Sequence, residues 1–142
     1  MRFEGLGELN TLAVIVGAVI YFALGALWYS PVLFGPRWQR SIGWDPEQRP
    51  PEMRATTYVV PFVATLVMAA AVGLLAAATG SDTIGEGLVL GLIVGIGLSL
   101  MDTMVNATFD PNKPEPWVWF AINGGYHAVG LIVVAIIVSA WR

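Results

Sequence analysis

Four apolar stretches dominate the chain: residues 9–30, 55–79, 83–109 and 117–141. Each is long enough to cross a hydrocarbon core of about 30 Å. In lipid no water pairs with free backbone groups, so a single crossing segment must be a helix that satisfies its own N–H and C=O groups. Only 12% of the 142 residues are charged, against about 25% in an average soluble domain. The pattern predicts one all-α integral membrane domain, residues 1–142, with four transmembrane helices in an up-down antiparallel bundle. The first stretch is too long for a signal-peptide core of about 7–15 residues. Acidic rather than basic residues, Glu4 and Glu8, precede it, so it is expected to be a retained span.

The third stretch, Thr83 to Phe109, has two unlike faces. Gly87, Gly91, Gly95 and Ser99 recur every fourth residue. Such a stripe lets another helix approach closely where lipid offers no hydrophobic drive to associate. At about 100° per residue, Asp102 and Asn106 continue on the side of Gly91 and Gly95. Leu90, Ile93, Leu100, Met101 and Met104 fall opposite. The small-residue side is therefore expected to pack inward, in the bundle or against a second copy, and to carry an ionisable group with it.

The other stretches supply possible partners for Asp102. In the first, Gly17, Tyr21, Gly25 and Trp28 share a face, and Pro31 ends the helix. The second is expected to begin near Pro51, to kink at Pro61 and to stop at Gly80. The tight link Gly80-Ser81-Asp82 predicts that the second and third helices are antiparallel neighbours. In the fourth, Asn123, His127 and Gly130 share a face. At 1.5 Å per residue, Asp102 and Asn123 each come about 9–10 Å from the same end of the bundle. Asp102 is thus expected to face Asn123, with His127 about one turn deeper and Tyr21, like His127, near the midplane. Three readings fit such a polar layer of Asp102, Asn106, Asn123, His127 and Tyr21. It could be a structural clasp between helices. It could be a binding or proton-transfer site, since intramembrane ionisable groups mark pathways. Or His127 could ligate a pigment.

Residues 31–54 form the sizeable extramembrane segment. Arg37, Arg40, Arg49 and Arg54 alternate there with Trp38 and Trp44, a composition suited to the headgroup level. A short interfacial helix is expected around Pro36 to Ile42, with Gly43 as its stop. These arginines and Lys113 lie on the two loops of one side, and Arg2 and Arg142 on the other. Counting basic residues puts both termini outside the cytoplasm.

The net charge is −3 and no basic patch opposes it, which argues against a nucleic-acid role. The absence of cysteine and the single histidine exclude thiolate and multi-histidine metal sites within one chain. No nucleophile elbow, H-E-x-x-H or phosphate loop is present, so an enzyme is not expected, and no cofactor is required.

The run Gly25-Ala26-Leu27-Trp28-Tyr29-Ser30-Pro31, then Leu33-Phe34-Gly35 and Trp38, is distinctive. With Asn106 to Phe109 and Asn123-Gly124-Gly125-Tyr126, it resembles a family of small bacterial four-span membrane proteins, domain of unknown function 1761. The resemblance covers nearly the whole chain. It implies an integral membrane protein and supplies no activity or catalytic residue. The expected function is binding or passage of a small solute or ion through the polar layer. The alternative is a non-catalytic scaffold or accessory subunit of a larger membrane complex. In either case the partners are lipid and either further copies of this chain or other subunits.

Overall fold

The computed structural model describes residues 9–48 and 54–141, together with Gly7. The expected start near Pro51 and the basic residues Arg2, Arg49 and Arg142 lie outside the described residues. The described chain forms α1 (Thr11–Trp28), the short α2 (Gly35–Ser41), α3 (Thr56–Thr79), α4 (Ile84–Phe109) and α5 (Pro116–Ala140). All but α2 are long and apolar enough to cross a membrane. Among the described residues there is no strand.

Local chemistry sets the helix ends. Asn10 caps α1 by accepting from the Ala13 N–H, and its amide donates to the Trp141 carbonyl, fastening the two ends of the described chain together. Gly80 ends α3 in the left-handed region at φ 74°, where a Cβ would be strained. Thr83 and Glu86 form a reciprocal capping box at the start of α4, which satisfies N–H groups that a helix start leaves unpaired. Glu86 is thus an end group.

The helices are not arranged as four equal neighbours. α5 is central: α4 packs along one side of it, and α1 and α3 pack along the other and against each other. Half of the α5 span is buried (50%), against 22% for α4. The tight turn between α3 and α4 does not make them packing partners, contrary to the expectation from its length. A groove of about 380 Å³ opens between them near their shared turn, lined by Thr79, Ser81, Glu86, Val89 and Ile93 among others. A short link fixes only where two helix ends meet. Here α5 attracts both helices more strongly than they attract each other.

The glycine stripe explains the hold on α4. A Cβ at Gly91 would stand 2.6 Å from the Ile132 Cα, and one at Gly95 would stand 2.7 Å from the Ala128 carbonyl oxygen. At Gly87 it would reach the Ala135 carbonyl and Ile136 Cα at 2.8 Å. The seam therefore packs against the backbone of α5 in the same chain. Ser99, next in the stripe, is half-buried, and its carbonyl accepts from the Thr103 hydroxyl.

Across Ile93–Leu100 the α4 backbone winds as a π-helix. In an α-helix a four-residue repeat drifts by about 40° at each step. The wider i→i+5 turns absorb about one residue, so the stripe stays straight, and the buried positions after Gly95 are Thr103 and Ala107.

Candidate functional site

The same winding relocates Asp102 and Asn106. An absorbed residue is worth about 100° of rotation, enough to turn both side chains off the seam. Both are exposed on the outer face of α4. The Asn106 amide donates to the Asp102 carbonyl oxygen at 3.0 Å and to Oδ2 at 3.1 Å. The expected meeting of Asp102 with Asn123 does not form. Opposite Gly124, α4 presents Leu100 and Thr103 instead.

Asn123 and His127 point the other way, toward α1. There they form a ladder with two tyrosines. The Tyr29 hydroxyl donates to Asn123 Oδ1 at 2.5 Å. One turn further along α5, Tyr21 Oη lies 2.5 Å from His127 Nδ1 and 3.8 Å from the Met68 sulfur of α3. Two proton arrangements satisfy this group. Either the phenol donates to Nδ1, or Nδ1–H donates to the phenol oxygen while the phenol proton turns to the sulfur. The imidazole can therefore exchange tautomers without losing its partner.

Tyr126 stands between the two rungs. Its hydroxyl donates to the Tyr21 carbonyl at 3.2 Å. Its ring centroid lies 5.2 Å from Tyr21, 5.4 Å from Tyr29 and 4.8 Å from His127. Each such ring pair is worth about 0.5–1.5 kcal/mol beyond its buried area. Trp28 closes the cluster, its indole N–H donating to the Ile122 carbonyl at 3.0 Å. Small residues make room for these rings. A Cβ at Gly130 would meet the Tyr21 ring at 2.1 Å, and one at Gly25 would meet the Tyr126 hydroxyl at 2.8 Å. Tyr21 itself is fully buried.

The ladder leads to the α2 end of the bundle. After Trp28 the chain folds back tightly: the Phe34 N–H donates to the Trp28 carbonyl at 3.0 Å and the Gly35 N–H to the Ser30 carbonyl at 3.1 Å. A Cβ at Gly35 would lie 2.4 Å from the Tyr29 carbonyl oxygen, so this turn requires glycine. α2 is then fastened to the start of α5. Arg37 grips both oxygens of Glu115, at 3.3 and 2.7 Å, and the Glu115 N–H donates to the Ser41 carbonyl. Trp38 stacks edge-on against Tyr29 at 5.4 Å.

A cavity of about 230 Å³ lies here, lined by Tyr29, Pro31, Gly35, Pro36, Gln39, Pro46 and Gln48. At this end of the bundle two buried polar atoms, Ser30 Oγ and Trp38 Nε1, have no hydrogen-bond partner among the described residues. Among the described residues no three His, Asp or Glu side chains converge as a metal site would need.

Of the residues singled out in the sequence, the structure joins Tyr21, Asn123 and His127 in one cluster and leaves Asp102 and Asn106 outside it. Sequence reasoning set Trp28 on the face of Tyr21 and left Tyr29 out of the polar layer, and both belong to the cluster. The signal was their position beside Tyr21 on one helix, facing a fourth helix with polar groups four residues apart.

Fold and cluster together define a four-span integral membrane protein with a buried aromatic and hydrogen-bonded interior. The chain belongs to the family described as protein of unknown function DUF1761, whose profile matches residues 12–139. No curated protein and no solved structure matches it. The matched region contains both halves of the cluster, Tyr21 to Tyr29 and Asn123 to His127.

Proposed function

We propose that this protein binds or passes a proton, or a small polar solute whose binding is linked to one, at the Tyr21–His127 pair. Access is from the α2 end. The observation that carries the reading is the position of Tyr29: it lines the cavity and also bonds Asn123, one turn from the imidazole. Tautomer exchange of an imidazole beside a phenol suits proton transfer. Tyr29, Gln39 and Gln48 offer neutral polar contacts to a molecule bound there. On the orientation expected from the basic residues, this opening faces the cytoplasm.

The test is proton flux in proteoliposomes carrying an internal pH dye, under an imposed pH gradient. Wild-type protein should pass protons above the empty-liposome rate, and His127→Gln and Tyr21→Phe should lose most of that flux while remaining folded. No flux with wild-type protein, in the presence or absence of candidate solutes, would contradict the reading.

A second reading, a non-catalytic scaffold or accessory subunit, is favoured by the Asp102–Asn106 pair on an outer face. Its test is stoichiometric co-purification of other polypeptides from native membranes, by native mass spectrometry of the untagged protein.

A further inference from the structure

The Tyr21 hydroxyl has two partners among the described residues, and they come from different helices. His127 Nδ1 of α5 lies at 2.5 Å and the Met68 sulfur of α3 at 3.8 Å. Tyr21 is fully buried, so its hydroxyl must be satisfied inside the protein. A phenol carries one proton, and a neutral imidazole carries one N–H on either of its two nitrogens. The contact between Oη and Nδ1 holds one of these two protons. If it is the phenol's, the ring proton sits on Nε2 and the sulfur receives nothing. If it is the ring's own, the phenol proton is left over, and the sulfur is the acceptor that takes it. Both arrangements contain the same two protons. The phenol turns its O–H about the C–O bond, and the imidazole proton changes nitrogen. The other phenol beside the pair, Tyr126, is committed to the Tyr21 carbonyl and does not compete.

The sulfur therefore matters to one arrangement only. Without it, the Nδ1–H tautomer would strand a buried phenol O–H, and an unpaired buried donor costs more than an ordinary hydrogen bond gains. We infer that Met68 is a positioning residue for His127: its sulfur holds the phenol proton and so permits the tautomer in which Nε2 is free to accept. The use of this device rests on the proton-transfer reading given above, since a relay needs Nε2 to take up a proton in one state and release it in the other. α3, which otherwise packs on α1 and α5 through apolar residues, thereby supplies the third member of the site. A thioether suits the task because it is a weak, polarizable acceptor. A strong acceptor there would lock the phenol proton in place, and a hydrocarbon would lock it on Nδ1.

The experiment is 15N NMR of the full chain in lipid bilayers, labelled at its single histidine and held at a pH where the ring is neutral. The two tautomers give distinct nitrogen signals, so their ratio is read directly. Wild-type protein should show both. Met68→Leu conserves volume and removes the acceptor, and it should lower the Nδ1–H share about two- to tenfold, the weight of one hydrogen bond. In a Tyr21→Phe background the same change should leave the ratio where it was, because the sulfur reaches the ring only through the phenol proton. An Nδ1–H share that is the same in wild type and Met68→Leu would overturn the inference. So would an equal shift with and without the Tyr21 hydroxyl, which would make Met68 a packing residue. The readout is independent of flux: liposomes that pass no protons contradict the proposed function, whereas the tautomer ratio alone decides the role of Met68.

Discussion

The two sides of α5 are held by different chemistry. Toward α4 the contact is backbone against backbone, made possible by Gly87, Gly91 and Gly95, with no side-chain hydrogen bond crossing it among the described residues. Toward α1 the contact is made by rings and hydroxyls: Tyr21, Trp28 and Tyr29 against Asn123, Tyr126 and His127. The first side is a matter of shape and requires small residues at those three positions. The second holds polar groups that could do chemistry, and it reaches the cavity beside α2. Chain geometry and candidate function are thus carried by opposite faces of one helix.

The comparison can be broken most severely at the glycine seam. Gly91→Leu should cost about 3 kcal/mol or more, since overpacking against a fixed backbone cannot be relieved by a rotamer change. Thermal unfolding in detergent should show the loss, while Gly85→Ala, in open space, should leave the midpoint near wild type. Gly130→Ala is the matching change on the ring side. It should cost about 2 kcal/mol, and it should also displace Tyr21 from His127, which a seam substitution should not do.

Removing hydroxyls sharpens the contrast further. Tyr21→Phe and Tyr29→Phe keep the rings and lose the hydroxyl contacts, to His127 and Met68 in the first and to Asn123 in the second, for about 0.6–2 kcal/mol per hydrogen bond, read from denaturant unfolding in mixed micelles. Arg37→Ala removes an ion pair whose side chains are 50% and 36% exposed. It should cost less than about 1 kcal/mol in the same assay.

The smallest effect is a pH response outside the membrane. Lys113 hydrogen-bonds the Asp110 carboxyl, and the Asn112 N–H donates to it too, so its pKa is held below the ordinary carboxylate value. A carboxyl depressed in the folded state stabilises above its unfolded pKa and loses that contribution as pH falls through the folded value. The small difference in unfolding midpoint between wild type and Asp110→Asn should therefore be present at neutral pH and vanish in acid.

Much of this architecture was legible in the sequence. The four spans follow from apolar length, and the glycine stripe from its spacing. The position of Asp102 did not follow, because a constant 100° per residue does not hold across Ile93–Leu100, and nothing in the residue types of that segment announces the wider winding. The central place of α5 was hidden too. Periodicity identifies a face, but not how many helices will compete for it. In the cluster, Tyr21, Asn123 and His127 were found as polar groups at membrane depth. Tyr29 was missed because an aromatic residue near a helix end has a sufficient interfacial explanation, and its partner came from 94 residues away.

The pairing of Tyr21 with His127 is the claim on which the functional account rests. Because the chain contains one histidine, solid-state NMR of protein labelled with 15N-histidine in lipid bilayers observes that ring alone. The account predicts an Nδ1 signal displaced by a strong hydrogen bond, shifting toward the free-imidazole position in Tyr21→Phe, and a ring that exchanges protons with the aqueous phase. A spectrum that is the same in wild type and Tyr21→Phe, from a ring insensitive to bulk pH, would contradict it.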